Sequence, residues 1–167
     1  MKVLLVPFGK IKKEIVEEIK RGVSKILKLD VSLAAVVKLL KARKRAEQLN
    51  AEDFIPAVHK QVVKAGTDYG LGIVNKDLYV EDLNFVFGLA YRDSAVIALA
   101  RLRSEDKKVF LKRAVKEAVH ELGHLLGLSH CADSKCVMYF SNSLADTDYK
   151  EELPCEQCKR KLKWKLE

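Results

Sequence analysis

The chain has no apolar run approaching the roughly 18 residues that a membrane-crossing helix needs. Its opening residues, Met1-Lys2-Val3-Leu4-Leu5-Val6-Pro7, are too short for a signal-peptide core and end at a proline. They read as a first strand of the folded protein, so the expectation is a cytoplasmic protein with no membrane partner. Repeats, low-complexity segments and linkers are also missing. With 167 residues and 49% hydrophobic content, that leaves one domain, 1–167, able to bury a real core. Histidine is scarce: there are four in all. Cysteine is equally scarce, and its four residues fall into two close pairs with none left over.

Three of the four histidines lie in one window, His120-Glu121-Leu122-Gly123-His124-Leu125-Leu126-Gly127-Leu128-Ser129-His130. In a helix, four residues turn about 400° and rise about 6 Å, so His120 and His124 share a face and can reach one metal. Glu121 stands about 100° round from His120, beside the metal rather than on it, where a base for a zinc-bound water belongs. Were the helix to continue, His130 would sit roughly 15 Å from His120 along its axis. The chain must therefore turn back, and Gly127 is the residue that can take the left-handed conformation ending a helix. HExxHxxGxxH thus reads as a catalytic zinc site, with His120, His124 and His130 as ligands and Glu121 as catalytic base.

The cysteines start at the next residue. Cys131 and Cys136 form one pair, Cys155 and Cys158 the other, in the layout of a four-thiolate structural zinc site. Two disulfides are the alternative, but a C-x-x-C disulfide is strained and no signal peptide points to an oxidising compartment. A zinc on the thiols would pin the loop carrying His130 to the segment before Met138, and both to the C-terminal tail. Two zinc ions per chain are expected.

From His120 to Cys158 the chain reads HExxHxxGxxH-C-x4-C-x-M, then sixteen residues, then C-x-x-C. This resembles the archaemetzincin family of metalloproteases, within the wider metzincin clan. The runs Cys136-Val137-Met138-Tyr139-Phe140-Ser141-Asn142-Ser143 and Asp82-Leu83-Asn84-Phe85-Val86-Phe87-Gly88 are also similar to that family. The resemblance implies the same zinc ligands and base, Met138 as the Met-turn residue beneath the metal, and Cys131, Cys136, Cys155 and Cys158 on a structural zinc. It also implies an antiparallel strand lining the cleft, to which an extended peptide adds; here that is 84–91. Several metzincins carry a tyrosine near the metal two residues after the methionine. Phe140 holds that position here, so Tyr139 is read as an ordinary packed residue.

Elsewhere the pattern alternates as in an α/β domain. Strands are expected at 3–7, 30–37, 71–74, 84–91 and 95–102, with a hairpin turn at Arg92-Asp93-Ser94. Ile11, Ile15, Ile19, Val23 and Ile26 mark a helix to about residue 27. Another is expected at 53–64, with Pro56 in its first turn. Ser104 reads as N-cap of the active-site helix, whose buried face holds Phe110, Leu111, Ala114, Val115, Ala118, Leu122 and Leu125. The expected fold is a mixed α/β domain: a twisted mixed sheet with covering helices and the active-site helix (1–127), then an irregular C-terminal part with Met-turn and structural zinc (128–167).

The formal charge of +8 raises the question of nucleic acid. Lys38, Lys41, Arg43, Lys44 and Arg45 form one basic stretch, left unassigned. Lys159, Arg160, Lys161, Lys163 and Lys165 around Trp164 form another. Neither has the regular aromatic interleaving of a single-strand platform, so solvated faces are expected, with Leu162, Trp164 or Leu166 packing inward. His59, the one histidine outside the motif, reads as a surface or satisfied interior residue. The expected function is zinc-dependent hydrolysis of peptide amides in a peptide or protein substrate, by a monomer. The alternatives are a metal-stabilised binding module for nucleic acid and a zinc hydrolase of non-peptide amides. All four cysteines follow His130 and are needed by the second metal, so latency through a pro-segment thiol is not expected.

Overall fold

A computed structural model describes the backbone of residues 1–166 and the side chains of residues 1–162. In chain order the elements are β1 (Lys2–Phe8), α1 (Lys13–Leu27), β2 (Asp30–Leu33), β3 (Lys44–Arg45), β4 (Gln48–Asn50), α2 (Phe54–Ala65), β5 (Tyr69–Val74), β6 (Leu78–Tyr79), β7 (Gly88–Tyr91), β8 (Ser94–Ala98), α3 (Lys107–Leu125), α4 (Leu144–Tyr149) and α5 (Glu156–Leu166). The main sheet runs β2-β1-β5-β8-β7. Its first four strands are parallel, and β7 alone pairs antiparallel, on β8 at the edge.

Strand periodicity divides the core. Val3 and Leu5 of β1 face one side with Leu71, Ile73, Ala95 and Ile97; there they meet Ile15, Ile19 and Val23 of α1 and Ala114, Ala118 and Leu122 of α3. Leu4, Val6 and Phe8 face the other side, where Phe54, Val58 and Val62 of α2 pack with Val74, Val96 and Ala98. The expected mixed sheet with covering helices is what forms, and the helices lie on both of its faces.

Several boundaries differ from the sequence reading. The second strand ends at Leu33, and Val37 returns only as a single bridge to Phe8. The strand expected at 84–91 keeps only Gly88–Tyr91: ahead of it Val86 bridges Leu78 of β6 instead, its amide donating to the Leu78 carbonyl at 2.9 Å, and the Asn84 carbonyl accepts from the Arg45 guanidinium at 2.9 Å. The strand from 95 closes at Ala98 and tightens into a 3-10 turn, Ala100–Leu102. The turn before it is two residues, Arg92-Asp93, with Arg92 at φ 57° and Ser94 already in β8. The active-site helix is capped by Asp106, which accepts from the Lys108 and Val109 amides, while Ser104 accepts from the Asp106 amide. Aspartate wins the cap because its charged oxygen reaches two free N–H groups at the positive end of the dipole.

The first basic stretch is an arm over α2. Leu39, Leu40 and Ala42 pack into the second core cluster, and β3 joins the small sheet β3-β4-β6. Arg43 pairs with Asp53 at 2.8 Å, and Arg45 stacks on the Tyr79 ring at 4.2 Å. In the second stretch Leu162 is buried as expected. Trp164 and Leu166 lie outside the described side chains. No helix among the described residues is long and apolar enough to cross a membrane.

Candidate active site

α3 carries His120 and His124 on consecutive turns, and its end is built to reverse the chain. Gly127 takes φ +90°, its amide bonds to the His124 carbonyl, and the Leu128 amide reaches back to Gly123 at 2.9 Å. The reversal brings His130 onto the other two rings, with centroids 5.3 Å from His120 and 4.8 Å from His124. The three residues' ligand atoms lie within 4.8 Å of one another, and the His120 and His124 Nε2 atoms are 3.1 Å apart. Zinc–nitrogen bonds of about 2.05 Å at tetrahedral angles would put such nitrogens about 3.3 Å apart, so the donor set fits one zinc ion. The other nitrogens are committed: His120 Nδ1 bonds the Val137 carbonyl and His124 Nδ1 the Leu128 carbonyl, both at 2.8 Å. That fixes both rings with Nε2 forward. Burial pushes the His120 pKa well below its ordinary value, and burial with His124 lowers His130. Neutral imidazoles are the form a metal requires.

Glu121 lies beside these rings, 5% exposed. Burial first, and the Glu117 carboxylate second, push its pKa well above the usual carboxylate range, with Lys150 opposing. Gly88 of β7 presses against it: a Cβ at residue 88 would stand 2.5 Å from Glu121 Oε1. Met138 is fully buried, and its sulfur lies so near Gly123 that a Cβ there would be 2.4 Å away.

The four thiols gather next door. Cys131 and Cys155 sulfurs are 3.8 Å apart, Cys136 and Cys158 likewise, and all four lie within 4.8 Å of one another. A disulfide needs about 2.05 Å. Tetrahedral zinc–sulfur bonds of about 2.3 Å put sulfurs about 3.8 Å apart, so the four residues fit zinc and not two disulfides. The amides of Met138 and Cys155 both donate to Cys136 Sγ. The Cys131 amide bonds the Met138 carbonyl, tying this cluster to the loop behind the histidines. Burial raises the Cys136 and Cys158 thiols, while the Cys158 amide lowers Cys155.

A cleft of about 580 Å³ runs over the histidines. Residues 83–90, ending in β7, form one wall, and Phe140, Ser141 and Asn142 form the other; Glu117 joins the histidines and Glu121 in the floor. The Phe140 ring packs against His130, tilted by 52° with centroids 5.0 Å apart. Two features escaped the sequence reading. One is Gly88, which a lone glycine inside a strand pattern could have flagged as a close approach. The other is the buried trio Glu117, Thr147 and Lys150, for which the sequence carries no local signal. His59, 55% exposed, pairs with Asp93 at 2.8 Å, away from the cleft.

A family model for peptidase family M54 matches residues 2–164. The chain belongs to peptidase family M54. It is 37% identical to an archaemetzincin of Pyrococcus abyssi, over 98% of this chain and 95% of the relative. The crystal structure of Methanopyrus kandleri archaemetzincin superposes with a TM-score of 0.86 at 37% identity, covering 99% of this chain and 95% of that one. The Archaeoglobus fulgidus archaemetzincin, solved in complex with malonate, gives 0.86 at 34% identity, covering 96% and 99%. Membership of the M54 family makes the protein a zinc metallopeptidase, with a peptide or protein as substrate, on the mixed α/β fold described above.

Proposed function

We propose that His120, His124 and His130 hold the catalytic zinc of this peptidase, that Glu121 is its general base, and that Cys131, Cys136, Cys155 and Cys158 hold a second, structural zinc with Met138 packed between the two sites. The observation that carries this is the convergence of three imidazoles at the floor of an open cleft, two with their outer nitrogens fixed by carbonyls, beside a buried carboxylate.

When bound, the catalytic zinc supplies a Lewis acid that acidifies water and polarises a carbonyl. Glu121 does the proton work, taking a proton from the attacking water and returning it to the leaving amine. Burial raises the Glu121 carboxyl above the usual carboxylate range, the direction that makes it a stronger base toward the attacking water. β7 is the edge strand of the sheet and lines the cleft, which supports its pairing with an extended peptide.

The whole chain, 1–167, acts as one catalytic domain and as a monomer in this reading. Four cysteines kept as thiols support a reducing, cytoplasmic location. The test is a peptide library presented to zinc-loaded protein, to protein stripped by chelator, and to stripped protein with zinc restored. Cleavage in the first and third arms alone supports the assignment. Equal cleavage in all three would contradict it.

A further inference from the structure

We propose that Lys150 and Glu117 are positioning residues for the hydrolysis, holding the turn of α3 that carries Glu121 and the Phe140–Asn142 wall in one fixed relation. This rests on the peptidase reading of the site. The two side chains form an ion pair at 3.3 Å, and their exposure is 0% and 3%. Lys150 Nζ also donates to the Tyr139 carbonyl at 3.3 Å, next to the Phe140 that packs against His130. On the other side Thr147 donates to Glu117 Oε1 at 3.3 Å.

The neighbouring turns of α3 repeat the link. Lys116 donates to the Thr147 carbonyl at 2.8 Å, and Arg113 grips Asp148 at 2.8 and 2.7 Å. α4 and its end are thus clamped along one stripe of the active-site helix. Glu117 lies one turn before Glu121 and shares the cleft floor with it.

Desolvation makes a buried ion pair a poor source of stability, and well-packed apolar replacements often equal it. What the pair supplies instead is direction. A lysine with one carboxylate and one carbonyl partner fixes the distance between the helix that bears the base and the loop that bears the opposite wall. Apolar side chains of the same volume would fill the space without fixing that distance.

The experiment uses the zinc-loaded full chain as wild type, Lys150→Arg, Lys150→Met, and the double variant Glu117→Gln with Lys150→Met. Zinc content, thermal unfolding, kcat and KM on the best peptide, and affinity for acetohydroxamate as a zinc-binding probe are measured. The double variant is expected to keep its zinc and a cooperative transition. Its kcat should fall at least tenfold with KM within threefold, and acetohydroxamate should bind at least threefold more weakly. Lys150→Arg should recover kcat to within threefold of wild type. A double variant with wild-type kcat and wild-type acetohydroxamate affinity would overturn the proposal, and it carries the test if Lys150→Met fails to fold. Should wild type cleave no peptide, the peptidase reading falls instead, and acetohydroxamate affinity alone decides the role of the pair.

Discussion

Gly88→Ala adds one methyl group to the edge strand, and the structure says where it goes. The new Cβ would stand 2.5 Å from Glu121 Oε1, 2.6 Å from its Cγ and 2.8 Å from its Cδ. The first of these is about 0.9 Å short of ordinary contact. Glu121 is only 5% exposed and lines the cleft floor, so the clash moves the carboxylate off its place beside the histidines. The backbone at residue 88 is not among the positive-φ glycines, so alanine brings no conformational strain of its own. None of the three nearest atoms belongs to a histidine, so zinc should remain. A misplacement of roughly 1 Å at a catalytic group can lower rate by about 10²-fold, or about 2.7 kcal/mol of transition-state stabilisation. The expected result is a fall of about that size in kcat/KM at unchanged zinc content. Steady-state kinetics on a single peptide, with metal analysis of the same sample, gives the measurement. Wild-type kcat/KM in Gly88→Ala would refute the reasoning, because the base would then tolerate a displacement that the geometry forces.

The two zinc ions should differ in lability: mild chelation removes one equivalent from the open histidine site with the fold intact, and harsher chelation removes the second with loss of C-terminal order, followed by metal analysis and circular dichroism. Gly123→Ala should drive a Cβ to within 2.4 Å of the buried Met138 sulfur and lower the melting temperature by several degrees, an overpacking effect of about 1–3 kcal/mol; an unchanged melting temperature would place Met138 elsewhere. Asp148 is held below its ordinary pKa by the Arg113 hydrogen bond. Its contribution should be complete above the ordinary carboxylate value near 3.9 and should vanish as pH falls through the lower folded value. Arg113 also donates to the Leu102 and Arg103 carbonyls, so melting curves of wild type and Arg113→Met should differ at pH 7 and the gap should narrow, not close, in strong acid.

The gathering of the three histidines was legible because their spacing is local. HExxHxxGxxH places two histidines by helical periodicity and brings up a third by one glycine turn, and those distances leave the fold few choices. The cysteine pairs are legible for the same reason. What escaped the sequence depends on long-range contacts. Lys116 and Glu117 look like the wet side of an amphipathic helix, yet both are buried because α4 closes over that face. The strand expected from Asn84 loses its first half to partners far along the chain, Leu78 on Val86 and Arg45 on the Asn84 carbonyl, which leave no period in so short a run. β3, β4 and β6, at two or three residues each, are below the length at which alternation can be seen. The cap moved from Ser104 to Asp106 because two good capping residues stand two apart, and only the geometry of the helix entrance chooses between them.

The most direct test of the account is Glu121→Gln, compared with wild type on the best peptide at matched zinc content. Glutamine keeps the shape of the side chain and removes its ability to take a proton. The variant should bind both metals, unfold as wild type does, and hydrolyse at a rate lower by about 10² or more, the scale of positioned acid–base catalysis. Hydrolysis at the wild-type rate would contradict the account.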